Sequence, residues 1–116
     1  MSGQNQGRLT THVLNTATGF PAQGLGIALY RLAGSSSESL GRFVTNDDGR
    51  VDCPLLEGTH FTAGEYELVF DVQSYFNGQD SFFTHIPIRF VVDDANRHYH
   101  VPLLLSPYGY STYRGS

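Results

Sequence analysis

Gly64-Glu-Tyr-Glu-Leu-Val-Phe-Asp71 alternates without a break, with Tyr66, Leu68 and Phe70 on one side and Glu65, Glu67, Val69 and Asp71 on the other. A period of two marks a strand with one face in a core, because successive side chains leave a pleated strand on opposite sides. Working outward, Leu9–Leu14, Gly26–Leu32, Ser39–Thr45, Ile86–Asp93 and His98–Leu105 read as further strands. Gly, Pro, Asn or Ser residues punctuate the segments between them. Thr18-Gly19-Phe20-Pro21 reverses the chain between the first two strands and predicts that they form a loop-joined pair. Gly34–Ser37 reads as a turn tip and Asn46-Asp47-Asp48-Gly49 as a tight turn. Arg50–Leu56 reads as a short edge strand, since Pro54 cannot donate to a ladder. Val72–Asp80 is the one predicted helix, with Asp71 as its N-cap and Gly78 near its end. Tyr108–Arg114 supplies a last alternating segment. Seven or eight strands at this spacing predict an all-β sandwich.

The chain has 116 residues, enough for one domain with a real core. The boundaries expected are a disordered polar lead at residues 1–7 and a single domain over 8–116. Only 16% of the residues are charged, below the usual share of about 25%, which hints at a surface covered by partners. The net charge is −4 and the seven basic residues are scattered arginines, so no basic face exists for nucleic acid. Cys53 is the only cysteine, so an intrachain disulfide framework is ruled out. No apolar run approaches the roughly 20 residues of a membrane helix, and the lead has no signal-peptide core.

On a strand His98 and His100 project the same way, with Pro102 following on that side. Two such imidazoles suit acid–base work near neutral pH, while His-x-His alone is short of the three or four ligands that zinc usually takes. The plain alternative is a structural pair. His12 shares a face with Thr10 and Leu14 in the first strand, where an exposed sheet residue is the plain reading. Arg50 leaves the Asp47-Asp48-Gly49 turn, where a solvated pair with an aspartate would be ordinary. His60 and His85 have no partners visible in the sequence. Cys53 lacks a nucleophile context, and no Gly-x-Ser-x-Gly occurs. Tyr113-Arg114-Gly115-Ser116 is unusual for a chain end, because most termini fray without an aromatic anchor.

Leu9-Thr-Thr-His-Val-Leu14, Gly49-Arg50, His98-Tyr-His-Val-Pro-Leu-Leu-Leu-Ser-Pro107 and the closing Tyr-Arg-Gly-Ser together resemble the 5-hydroxyisourate hydrolase branch of the transthyretin-like family. The resemblance runs from about Arg8 to Ser116. It implies a transthyretin-type β-sandwich of two four-stranded sheets with one short helix, assembled as a homotetramer, a dimer of dimers with sites at the dimer–dimer interface. It also implies hydrolysis of a ring amide of 5-hydroxyisourate, in urate catabolism, to 2-oxo-4-hydroxy-4-carboxy-5-ureidoimidazoline, with no metal or organic cofactor. Carried over by motif, the catalytic residues are His12, Arg50 and His100, and the substrate-binding ones are Tyr113, Ser116 and Arg114. Members often have Asp where this chain has Asn15, to which no chemistry is assigned.

On that assignment the mechanism expected has His12 or His100 taking a proton from water, Arg50 holding the heterocycle and nearby donors stabilising the oxyanion. Its competitor is a carrier of thyroid hormone or another small aromatic ligand in the tetramer channel. A carrier wants an open apolar bore, whereas His12, His100 and Tyr113 would line this one. Relatives are peroxisomal in eukaryotes and cytoplasmic or periplasmic in bacteria, and the chain ends in Tyr-Arg-Gly-Ser, not a Ser-Lys-Leu-type peroxisomal address.

Overall fold

The alternating segments condense into two stacked sheets in a computed structural model of the protein, which describes residues 7–116. In chain order the elements are β1 (Arg8–Asn15), β2 (Phe20–Pro21), β3 (Gly26–Ala33), β4 (Ser36–Val44), β5 (Leu56–Glu57), β6 (Gly64–Asp71), α1 (Val72–Phe76), β7 (His85–Val92), β8 (His98–Ser106) and β9 (Gly109–Thr112). A single 3₁₀ turn, Gly58–His60, precedes β6. One sheet runs β4-β3-β6-β7, all antiparallel. The other runs β2-β1-β8-β9, with β5 also on β1 and with β1 and β8 parallel along their whole paired length.

Buried and half-exposed residues alternate along β1, β6 and most of β8. Their inner faces bring Leu9, Val13, Leu103 and Leu105 of one sheet against Leu29, Leu68, Phe70 and Ile86 of the other, all essentially inaccessible. Truncating one such leucine to alanine typically costs about 2–5 kcal/mol. Every buried polar side-chain atom among the described residues has a partner. Thr11 donates to the carbonyl of Val101 at 2.7 Å, and Thr45 donates to that of Ala22 at 2.7 Å.

Four local expectations change. The first two long strands do not pair: β1 and β3 lie in opposite sheets, where their apolar faces bury each other, and the reversal is absorbed by β2 folding back on the end of β1. Asn15 shapes that bend, its side-chain oxygen accepting from the amides of Ala17 and Thr18. Residues 50–55 are not a strand. The Asn46 amide bonds Arg50 O at 2.7 Å and its side chain reaches Asp52 at 2.8 Å, which curls the segment. Only Leu56 and Glu57 pair, with Leu9 and Arg8. The helix stops at Phe76 because Asn77 is left-handed at φ 45° and Gly78 follows at φ 90°. Its expected N-cap is present, Asp71 accepting from the Ser74 amide at 3.2 Å. Finally, β4 begins at Ser36, since Gly34 at φ 62° lets two residues close the hairpin.

Of the polar lead, residues 1–6 lie outside the described residues. Gly7 is buried, and a Cβ there would fall 2.2 Å from the carbonyl oxygen of Ala95. No described helix is long and apolar enough to cross a membrane.

Candidate active site

Parallel pairing of β1 with β8 sets Arg8 opposite His98, Thr10 opposite His100 and His12 opposite Pro102. Arg8, Thr10, His12, His98 and His100 alternate with buried residues, so they share the outer face of that sheet. The Thr10 hydroxyl lies between the two β8 histidines, 2.8 Å from His98 Nε2 and 2.9 Å from His100 Nδ1. The two rings are 6.3 Å apart.

Arg50 reaches the same region through a built turn. Asn46 Oδ1 accepts from the amides of Asp48 and Arg50 at 2.9 and 3.1 Å, and the Gly49 carbonyl accepts from the Val13 amide at 2.9 Å. The turn is thereby fastened to β1 one residue past His12. Gly49 is required twice: its φ is 74°, and a Cβ would sit 2.4 Å from Val13 O. A hollow of about 160 Å³ beside Thr10 is lined by Arg8, Arg50, Asp52 and Cys53 among others.

The electrostatics favour neutral imidazoles. Burial first, and the Arg50 guanidinium second, hold His12 below the ordinary histidine value, although the backbone carbonyl and the carboxylate of Asp48 favour its proton. Burial, then Arg50, then His98 and His12 hold His100 low as well. Arg50 itself makes no ion pair among the described residues. Neutral imidazoles beside an unpaired guanidinium amount to two bases and one donor fork facing a common space.

The tail closes one side. The Gly115 amide donates to the His100 carbonyl at 2.8 Å, an isolated antiparallel bridge beyond β9. A Cβ on Gly115 would lie 2.5 Å from His100 Cδ2, so the glycine permits backbone to rest on the imidazole. Tyr113 is 60% exposed on this tail, and Ser116 is the exposed last residue. Arg114 turns elsewhere: its guanidinium lies over the buried Tyr99 ring at 4.4 Å, and Tyr99 in turn donates to Asp93 at 2.8 Å. The larger cleft of about 380 Å³ between β7 and the tail is therefore lined by Ile88, Phe90, Tyr99, Tyr113 and Arg114 as well as His100, at the sheet edge and not over His12 and Arg50.

The fold thus gathers His12, Arg50 and His100 on one face, while Tyr113 and Arg114 line the cleft at the sheet edge with His100 and Ser116 follows the Gly115 bridge. Sequence reading missed Thr10 and Gly115. The parallel register of β1 on β8, which brings Thr10 to His98 and His100, leaves no local signal, but Gly115 inside an otherwise anchored tail was a visible cue. Among the described residues no group of three or more His, Cys, Asp or Glu is arranged to hold a metal ion.

The sequence pattern of the HIUase/Transthyretin family matches residues 9–115, the span that carries both β1 and the tail. The chain belongs to that family. Within it, the chain is 60% identical over 116 residues to the 5-hydroxyisourate hydrolase of Mesorhizobium japonicum, covering 95% of this chain and 93% of that one. The solved 5-hydroxyisourate hydrolase of Klebsiella pneumoniae superposes with a TM-score of 0.81 at 37% identity, over 97% of this chain and 95% of that one. Sea bream transthyretin in complex with thyroxine gives 0.86 at 27% identity, over 93% and 94%. An (S)-allantoin synthase gives 0.88 at 48% identity; this chain is covered to 97% but spans only 44% of that longer protein. One fold thus carries a transthyretin solved with thyroxine and a 5-hydroxyisourate hydrolase.

Proposed function

We propose that this protein is a 5-hydroxyisourate hydrolase, opening a ring amide of its substrate to give 2-oxo-4-hydroxy-4-carboxy-5-ureidoimidazoline. The observation that carries the proposal is the convergence of His12, Arg50 and His100, from three separate segments, on one outer face. The 60% identity to a relative of that name supports it. A histidine held neutral takes a proton from water as the oxygen attacks the carbonyl, and the proton then passes to the departing ring nitrogen. The Arg50 fork steadies the oxygen that gains charge, where one well-aimed donor is commonly worth about 2.7–4 kcal/mol. Tyr113 and Ser116 bound the substrate from the tail, and Arg114 acts through the tail's anchorage on Tyr99.

The site is open on a single protomer, and enclosure comes from a second copy in a homotetramer. The exposed edges of β7 and β9 support edge-to-edge pairing of protomers. So do the exposed apolar side chains beside them: Phe82, Val91, Tyr108 and Tyr110. The test mixes the protein with freshly generated 5-hydroxyisourate and follows the ultraviolet absorbance against spontaneous decay. Decay accelerated in proportion to enzyme is expected. Saturable thyroxine binding with no acceleration would instead make the protein a carrier.

A further inference from the structure

A threonine hydroxyl has one proton and two acceptor lone pairs. Thr10 Oγ1 lies within hydrogen-bond distance of two ring nitrogens, His98 Nε2 and His100 Nδ1, so it can donate to only one of them, and any hydrogen bond with the other must be donated by that ring. Used together, the contacts allow two orders. In one, His98 Nε2–H donates to Thr10, Thr10 donates to His100 Nδ1, and His100 keeps its proton on Nε2. In the other, His100 Nδ1–H donates to Thr10, Thr10 donates to His98 Nε2, and His100 Nε2 is bare.

We propose that Thr10 is a positioning residue that, with His98, holds His100 in the second order, the Nδ1–H form whose bare Nε2 is the base for water. This deepens the hydrolase reading and rests on it for the identity of the reaction. The second order fits because it survives the proton transfer. When Nε2 takes a proton from water, Nδ1–H still donates to Thr10 and no hydroxyl has to rotate. In the first order a newly protonated ring would have to find a new partner for its Nδ1. The backbone of Gly115 lies close against the edge of His100 bearing Cδ2, opposite the Nδ1 edge that meets Thr10. The charged and titratable groups around it are His98 on its own strand, His12 on β1, Arg50 on the turn, and Tyr113, Arg114 and Asp93 in the cleft at the sheet edge; Arg8 stands opposite His98. Asp93 is engaged by the Tyr99 hydroxyl and no carboxylate bonds Nδ1, which leaves the task to Thr10.

The experiment uses ¹⁵N-labelled full-length protein and two-bond ¹H–¹⁵N correlation of the histidine rings, above the pH at which they protonate, beside kinetics of Thr10→Val and Thr10→Ser. Wild type is expected to show His100 as Nδ1–H. Thr10→Val, nearly isosteric and as suited to a strand, should shift His100 toward Nε2–H. It should also lower kcat roughly tenfold to a hundredfold with KM little changed, and move the acid limb of the pH profile to lower pH. Thr10→Ser should restore all three. A wild-type His100 protonated on Nε2 overturns the assignment, and this reading needs no variant to fold. A Thr10→Val enzyme with wild-type kcat and pH profile also overturns it. If the wild type accelerates no decay of 5-hydroxyisourate yet shows the Nδ1–H form and its loss in Thr10→Val, the positioning role stands and the hydrolase reading falls.

Discussion

The outer faces of the two sheets are built from similar residue types arranged in opposite ways. On the β4-β3-β6-β7 sheet the register puts basic side chains opposite carboxylates: Arg89 across from Glu67, bonded at 2.9 Å, and His85 across from Asp71, at 3.7 Å. On the other sheet His100 faces Thr10, His12 faces Pro102 and His98 faces Arg8. Side chains that pair across strands satisfy each other and make the face chemically quiet. On the β2-β1-β8-β9 face burial first, and the Arg50 guanidinium second, hold His12 and His100 below the ordinary histidine value, which leaves each a lone pair. Pairing, more than composition, separates the two faces.

The comparison breaks most sharply if Arg50→Ala or His100→Ala still turns over substrate at the wild-type rate. Either change is expected to lower kcat/KM by about 10²–10⁴-fold, measured by accelerated decay of 5-hydroxyisourate. Gly115→Ala tests whether the tail positions the working imidazole. The added carbon meets His100 Cδ2 at 2.5 Å, so at least about a tenfold loss in kcat is expected with the melting temperature little changed. A normal rate in that variant would mean the tail yields instead of the ring.

Acidity gives a finer test. Since burial and Arg50 hold His12 and His100 low, the base stays unprotonated further into acid, and the acid limb of kcat/KM should lie below the ordinary histidine value of 6.5. Stability moves the other way. Below about pH 6.5 the unfolded chain binds protons at these residues that the folded chain resists, so stability falls with pH from there down through the folded-state values. Urea melts at pH 7.5 and 5.5 check the sign. The smallest effect is expected at Arg89→Ala on the quiet face, where turnover should match wild type and the melting temperature should barely move.

Much of this was legible in the chain. The alternation of Tyr66, Leu68 and Phe70 needs only the geometry of a strand, and its buried face is the one observed. His12, Arg50 and His100 were reached through motifs, not through spacing. Nothing local says that β1 lies parallel to β8, and without that register Thr10 is an ordinary strand residue. The edge strand expected at Arg50–Leu56 failed for a related reason. Asn46, four residues before Arg50, curls the segment with side-chain bonds that a strand pattern does not encode.

The sequence by itself determined the class of fold, the inner faces of the strands and the glycines at the turns, because period and backbone strain act over a few residues. Tertiary structure alone decided that burial and Arg50 hold His12 and His100 below the ordinary histidine value, that Thr10 links His98 and His100, and that Arg114 packs on Tyr99 while Gly115 rests on His100. Those outcomes depend on contacts between groups some 90 residues apart in the case of Thr10 and His100. Only the closed sandwich sets the distance and the burial on which hydrogen bonding and charge depend.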